Sequence, residues 1–150
     1  VILTLNNCLQ TQRSSPLHIF PIRVYYEDTD AGGVVFYANY LKYMERARTE
    51  WLRGKGVSQA ELVASTRLMF IVAELSIQYK APAKLDQLLH IHTDITYFGR
   101  ASLHFHQRVL RDQELLAQGT IKVGCVHADT LRVKPLPQSL VECIKSTHQE

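Results

Sequence analysis

The chain is poor in cysteine: Cys8, Cys125 and Cys143 are its three, odd in number, far apart and never in a C-x-x-C pair. That pattern argues against a disulfide framework or a zinc ribbon and for a reducing compartment, so a cytoplasmic location is expected. No apolar run approaches the ~20 residues of a membrane-crossing helix, which argues against stable membrane insertion. Lys and Arg number 17 against 14 acids, for a net charge of +3, and they are scattered. A nucleic-acid binder shows a dense basic cluster, so no nucleic-acid partner is expected. There is no G-x-S-x-G, no Walker loop and no dinucleotide fingerprint, which weighs against serine hydrolases, NTPases and Rossmann enzymes. Repeats, linkers and low-complexity segments are also missing.

What is present is an ordinary globular composition, 46% hydrophobic and 21% charged over 150 residues, enough for one core and one domain. The opening VILTLNNCLQTQRSS has no basic n-region and no small-residue cleavage site. Residues 1–15 are expected to be an extension, and 16–150 the domain.

Periodicity outlines the elements. Residues 18–27, HIFPIRVYYE, alternate Ile22, Val24 and Tyr26 against Arg23, Tyr25 and Glu27, as a strand does. Residues 37–54 place Tyr37, Tyr40, Tyr43, Met44, Ala47 and Trp51 on one helical face, with Arg46 and Glu50 paired on the other. Gly54 and Gly56 stop this helix, and Ser58 with Glu61 makes a capping box for a short second one, SQAELVAS. The period then becomes two. Ile71, Ala73, Leu75, Ile77 and Tyr79 share one expected buried face over 69–79, and Leu89, Ile91, Ile95 and Tyr97 another over 88–97. After a turn at Phe98-Gly99-Arg100, residues 101–111 set Leu103, Phe105 and Val109 inward. After Asp112-Gln113, residues 114–127 do so with Ile121, Val123 and Cys125. Pro135 and Pro137 precede a short helix at 138–147. The class is α+β, an antiparallel β-sheet wrapped around a long central α-helix.

Between the first strand and that helix lies YEDTDAGGVVFYANY, residues 26–40. Glu27, Asp28 and Asp30 crowd together before two glycines. A helix beginning near Tyr37 leaves backbone N–H groups without intrahelical partners, a centre of partial positive charge. A carboxylate facing such donors is the equipment for hydrolysing an activated acyl group: it attacks or activates water while the N–H groups hold the oxyanion. The same spacing also suits a carboxylate that only caps the helix or makes an Asx turn. The residues by themselves leave both readings open.

The stretch RVYYEDTDAGGVVFYANYLKYMERARTEWL resembles the hotdog-fold acyl-CoA thioesterases of the 4-hydroxybenzoyl-CoA thioesterase family. It is most similar to the branch encoded beside the Tol–Pal envelope genes. The likeness continues through FIVAELSIQYKAPAKLDQLL and KVGCVHADTLRVKPLP, about residues 18–137. The resemblance implies that Asp30 is the catalytic carboxylate, as nucleophile or general base, and that the Tyr37 backbone N–H polarises the thioester carbonyl. Asp28 would support the loop backbone. Relatives of the Tol–Pal branch often carry His where this chain has Tyr37, and the benzoyl-CoA branch carries Tyr, so no His side-chain role transfers. The implied products are a carboxylic acid and free coenzyme A, which is part of the substrate. No metal and no separate cofactor is implied, and the active form would be a homodimer or homotetramer with the substrate between protomers. Acyl carrier protein is an alternative substrate carrier.

Gly33 and Val34 are candidate substrate contacts in the loop. Arg100 and Ser102, after a glycine turn, are candidates for clamping coenzyme A phosphates, with Lys84, Lys122 and Lys134 as further cations. Tyr40, Tyr43, Met44 and Trp51 suit either core or an acyl tunnel. Two H-x-H pairs, His90/His92 and His104/His106, are the strongest rival signal. A tight hairpin would set His92 near His106 and Asp94 near His104, a ligand set for zinc or simply a polar sheet face. Other functions compatible with this fold are an acyl-thioester hydratase or dehydratase, which needs a His that this loop lacks, and a non-catalytic acyl-thioester or acyl-carrier binder.

Overall fold

The computed structural model describes residues 18–146; the expected extension 1–15, with Cys8, lies outside them. The order is β1 (His18–Arg23), α1 (Asn39–Gly54), α2 (Gln59–Thr66), β2 (Leu68–Tyr79), β3 (Leu88–Phe98), β4 (Ser102–Arg111), β5 (Glu114–His127) and α3 (Gln138–Ser146). The strands form one antiparallel sheet in the order β1-β3-β4-β5-β2. This is the expected α+β architecture, with α1 laid on one sheet face.

That face is where alternation aimed it. Leu103, Phe105 and Val109 of β4 and Ile121, Val123 and Cys125 of β5 are buried, as are Tyr40, Tyr43, Met44, Ala47 and Trp51 of α1. Trp51 meets Phe105 edge-on, ring centroids 5.4 Å apart, the favoured arrangement for two aromatic quadrupoles. One polar side chain sits inside this apolar layer. Gln107 is fully buried on β4. Its Nε2 donates to the Met44 carbonyl and to Thr93 Oγ1, both at 2.9 Å, and its Oε1 accepts from Arg48 at 2.8 Å. Both ends of the amide are satisfied, so the burial is tolerated, and α1 is tied to β3 and β4 at one point.

Several sequence expectations need correction. The first strand stops at Arg23, and Tyr26–Asp28 form a 3-10 turn that turns Tyr26 to solvent, 83% exposed. Glu50 pairs with Arg53 at 3.4 Å, one position closer to an i,i+3 geometry than the expected partner Arg46. The β2 row expected to be buried is open: Ile71, Leu75 and Tyr79 are exposed. β2 edges the sheet with a register shift between Val72 and Glu74, and among the described residues no strand pairs with its second edge. The β3–β4 hairpin is also looser than expected. Gly99 N–H donates to the Ser102 carbonyl at 2.8 Å and Phe98 pairs with Leu103. His92 therefore pairs with Arg108, Asp94 with His106 and Tyr97 with His104. Among the described residues, no group of three or more His, Cys, Asp or Glu is placed to hold a metal.

Candidate active site

The loop between β1 and α1 closes into a small hairpin. Thr29 bridges Val35, Asp30 N–H donates to the Val34 carbonyl at 2.9 Å, and Gly33 N–H donates to the Asp30 carbonyl at 3.0 Å. Gly33 holds φ at +79°, a left-handed turn that only glycine adopts without strain. Gly32 has an ordinary φ and serves differently: a Cβ there would come within 3.1 Å of Asp30 Oδ1.

Asp28 and Asp30 divide the work that spacing left undecided. Asp28 is buried, and its Oδ2 accepts Tyr25 N–H at 2.8 Å. Its carbonyl accepts two donors from the start of the helix, Phe36 N–H at 2.9 Å and Asn39 Nδ2 at 2.8 Å. The fully buried Tyr43 hydroxyl lies close to the Asp28 carboxylate without reaching hydrogen-bond geometry. Burial first, and that carboxylate second, raise its pKa well above the usual phenol value. Asp30 is exposed, and its Oδ1 accepts Gly32 N–H at 2.8 Å. The Asx turn that the spacing also suits is therefore present. It engages one carboxylate oxygen, and among the described residues Oδ2 accepts no hydrogen bond.

Helix α1 begins at Asn39, two residues later than expected. Tyr37 is thus in the approach to the helix, with its side chain 65% exposed. Among the described residues its N–H has no acceptor. The carbonyl of the same peptide, that of Phe36, accepts Asn39 N–H at 2.9 Å. The Tyr37 carbonyl accepts the Tyr79 hydroxyl at 2.7 Å. Beside this donor lies a groove of about 320 Å³ lined by Val35, Tyr37, Tyr40, Tyr79 and Pro82. Tyr40 stands edge-on to Tyr79 at 5.4 Å, and its hydroxyl accepts Ala83 N–H at 3.1 Å. The hairpin carries Asp30 alongside, because Thr29, next to Asp30, pairs with Val35 of the groove wall.

Within one chain, Asp30, Gly33 and Val34 are joined in the hairpin, Lys84 bridges Val34, and Tyr37 shares the adjoining groove with Val35. Arg100 and Ser102 do not. They follow the far end of β3, whereas the loop contacts the segment just before its start, a separation of roughly 30 Å at the usual rise per strand residue. Of the aromatic stripe, Tyr43 and Met44 are core and Tyr40 is both core and groove wall. Asn39 and Tyr79 escaped the sequence reading. An amide at a helix start is a signal that could have marked Asn39; nothing in the local pattern marked Tyr79 as more than strand filling.

A family model described as the thioesterase-like superfamily matches residues 24–144. The chain belongs to this superfamily. It is 47% identical over 121 residues to the acyl-CoA thioesterase YbgC of Haemophilus influenzae, across 81% of this chain and 89% of that protein. It is 32% identical to the acyl-CoA thioesterase YbgC of Helicobacter pylori strain 26695, across 83% and 97%. Among solved structures, a probable thioesterase from Bartonella henselae superposes with a TM-score of 0.78 at 32% identity, covering 81% of this chain and 99% of that one. A 1,4-dihydroxy-2-naphthoyl-CoA thioesterase from Synechocystis shares the fold, with a TM-score of 0.79 at 23% identity, covering 85% and 95%. The hotdog-fold thioesterase family expected from the sequence is thus the family of this superfamily member, and thioester hydrolysis is its enzyme class.

Proposed function

We propose that this thioesterase hydrolyses acyl-CoA to a carboxylic acid and free coenzyme A, with the reaction centred between Asp30 and the Tyr37 N–H. The observation that carries the reading is the Tyr37 N–H, without an acceptor among the described residues, in a residue that lines an aromatic-walled groove next to the Asp30 hairpin. The acyl group lies in the groove and its carbonyl oxygen takes the Tyr37 N–H. Asp30 attacks the carbonyl carbon, or removes a proton from the water that does. The oxygen becomes an oxyanion at the N–H, the C–S bond breaks, and the thiolate leaves with a proton; where Asp30 is the attacking group, water then hydrolyses the resulting acyl anhydride, releasing the acid and restoring the Asp30 carboxylate. No metal or separate cofactor enters this scheme.

The active unit in this reading is a homodimer or homotetramer in the cytoplasm. The β2 edge, unpaired among the described residues and with Ile71, Val72 and Leu75 exposed, supports a second copy there. Arg100 and Ser102 then serve coenzyme A phosphates from a neighbouring protomer, since their own loop is out of reach. Acyl carrier protein is the alternative carrier of the same acyl group.

The test is thiol release from a panel of short, long and aromatic acyl-CoAs. Asp30→Asn is expected to lose about 10²–10⁴-fold in kcat, the range for a positioned acid–base group, with its melting temperature kept. Asp28→Asn is expected to lose less activity and more stability. Equal turnover by Asp30→Asn defeats the assignment, and a reversed ranking moves it to Asp28.

A further inference from the structure

We propose that Tyr79 is a positioning residue for the Tyr37 N–H, a role that rests on the thioesterase reading above. Residue 37 lies between two peptide planes. The first, which carries the Tyr37 N–H, has its carbonyl held by Asn39 N–H at 2.9 Å. The second has its carbonyl held by the Tyr79 hydroxyl at 2.7 Å. With both carbonyls pinned, φ and ψ of residue 37 have little freedom, and the N–H keeps one direction. Little else restrains it. Residue 37 precedes the first helical residue, and its ring, in contact with Phe36, is 65% exposed.

The second pin comes from a distant element. Tyr79 is the last residue of β2, and its ring is set edge-on against Tyr40. Tyr40 is buried on α1 with its hydroxyl accepting Ala83 N–H. Tyr79, 45% exposed, is thus held on one side by the Tyr40 ring, the kind of support a positioning group requires. Burial, with Tyr40 and Tyr37 nearby, raises the Tyr79 pKa, so the phenol remains a donor across the working range of a hydrolase. An oxyanion donor acts by being aimed beforehand, and a donor free to swing loses that advantage.

The test is Tyr79→Phe, which keeps the ring and the groove wall and removes only the hydroxyl. Thiol release is expected to show kcat down about five- to tenfold, the worth of one neutral hydrogen bond. KM should stay within about twofold, and the loss should be equal at about pH 6 and about pH 9, where the phenol is protonated throughout. Tyr79→Leu, which also opens the groove, is expected to add a rise in KM. Wild-type kcat in Tyr79→Phe overturns the proposal, even if its melting temperature drops, because the contact is then structural only. A loss confined to KM overturns it as well. Asp30→Asn measured in parallel separates the layers. If it is inactive while Tyr79→Phe is normal, only the Tyr79 role fails; full turnover by Asp30→Asn overturns both.

Discussion

Asn39 and Asp28, eleven residues apart, are joined by a hydrogen bond of 2.8 Å from the Asn39 amide to the Asp28 carbonyl. The bond folds the acidic loop back onto the first residue of α1, and the Phe36 N–H reaches the same carbonyl oxygen. Removing the amide should loosen the approach to the helix without unfolding it. Asn39→Ala is expected to cost about 1 kcal/mol of stability, the net value of one such bond, together with a fall in kcat. Asn39→Asp, whose carboxylate would face that carbonyl oxygen, should be worse on both counts. Thermal melts and thiol-release kinetics on the pair check this; an Asp variant equal to the Ala variant would be inconsistent with it.

The neighbouring glycines should fail in opposite ways. Gly33 sits at φ +79° with no atom within 4 Å of an added Cβ. Gly33→Ala therefore carries backbone strain alone, about 1–2 kcal/mol, and should lower the melting temperature. Gly32→Ala should leave stability nearly intact and reduce kcat, because its Cβ would press on Asp30 Oδ1 from 3.1 Å. Melting curves and kinetics of the two variants should rank them in reverse order.

Gln107 is a stability residue. Leu in its place fills the space but leaves the Thr93 hydroxyl, the Met44 carbonyl and the Arg48 guanidinium without their buried partner. Each orphaned polar group costs about 1–3 kcal/mol, so Gln107→Leu should lose at least about 3 kcal/mol in urea unfolding before the gain from burying the more apolar residue offsets part of it. An unchanged midpoint would mean that water takes over these groups.

Acid should weaken the fold through two histidines. Burial first, then Arg108 and His90, lower the His92 pKa below the ordinary 6.5, with Asp94 opposing; Arg108 lies 3.5 Å from the ring. His18 is lowered as well, chiefly by burial. The unfolded chain then takes up these protons more readily than the folded one. Their contribution is fully present above about pH 6.5 and is lost as pH falls through the lowered folded values. The melting temperature should fall as the pH drops below about 6.5, and His92→Gln should flatten part of that slope. A slope unaltered in the variant would assign it to other groups.

How far the fold was legible depended on what each strand rests against. In β4 and β5 the polar and apolar residues alternate and the core lies on one side, so periodicity found the buried row. In β2 the alternation was as clear, yet Ile71 and Leu75 are exposed. Periodicity reports that a face wants cover, not that the same chain supplies it. Gln107 was invisible because its burial depends on three partners from two other elements, Met44 and Arg48 of α1 and Thr93 of β3, and only the folded chain brings them together. The His92–His106 pairing failed because it rests on the length of one turn, which residue types at Phe98-Gly99-Arg100 do not specify. In the site, the acids and glycines were legible because they are local in sequence. The contact between Tyr79 and Tyr37 spans 42 positions and leaves no local trace.

The rim of β2, unpaired among the described residues, also bears on how the protein is made. A bare strand edge flanked by apolar side chains is a template for any extended chain that drifts past. A newly finished copy is therefore most at risk while it is alone. Yield on expression should depend on how soon two copies meet, with slow synthesis at low concentration favouring tangles with foreign strands. Lysine placed on that rim would protect the solitary chain, at the expense of whatever company the edge is built to keep.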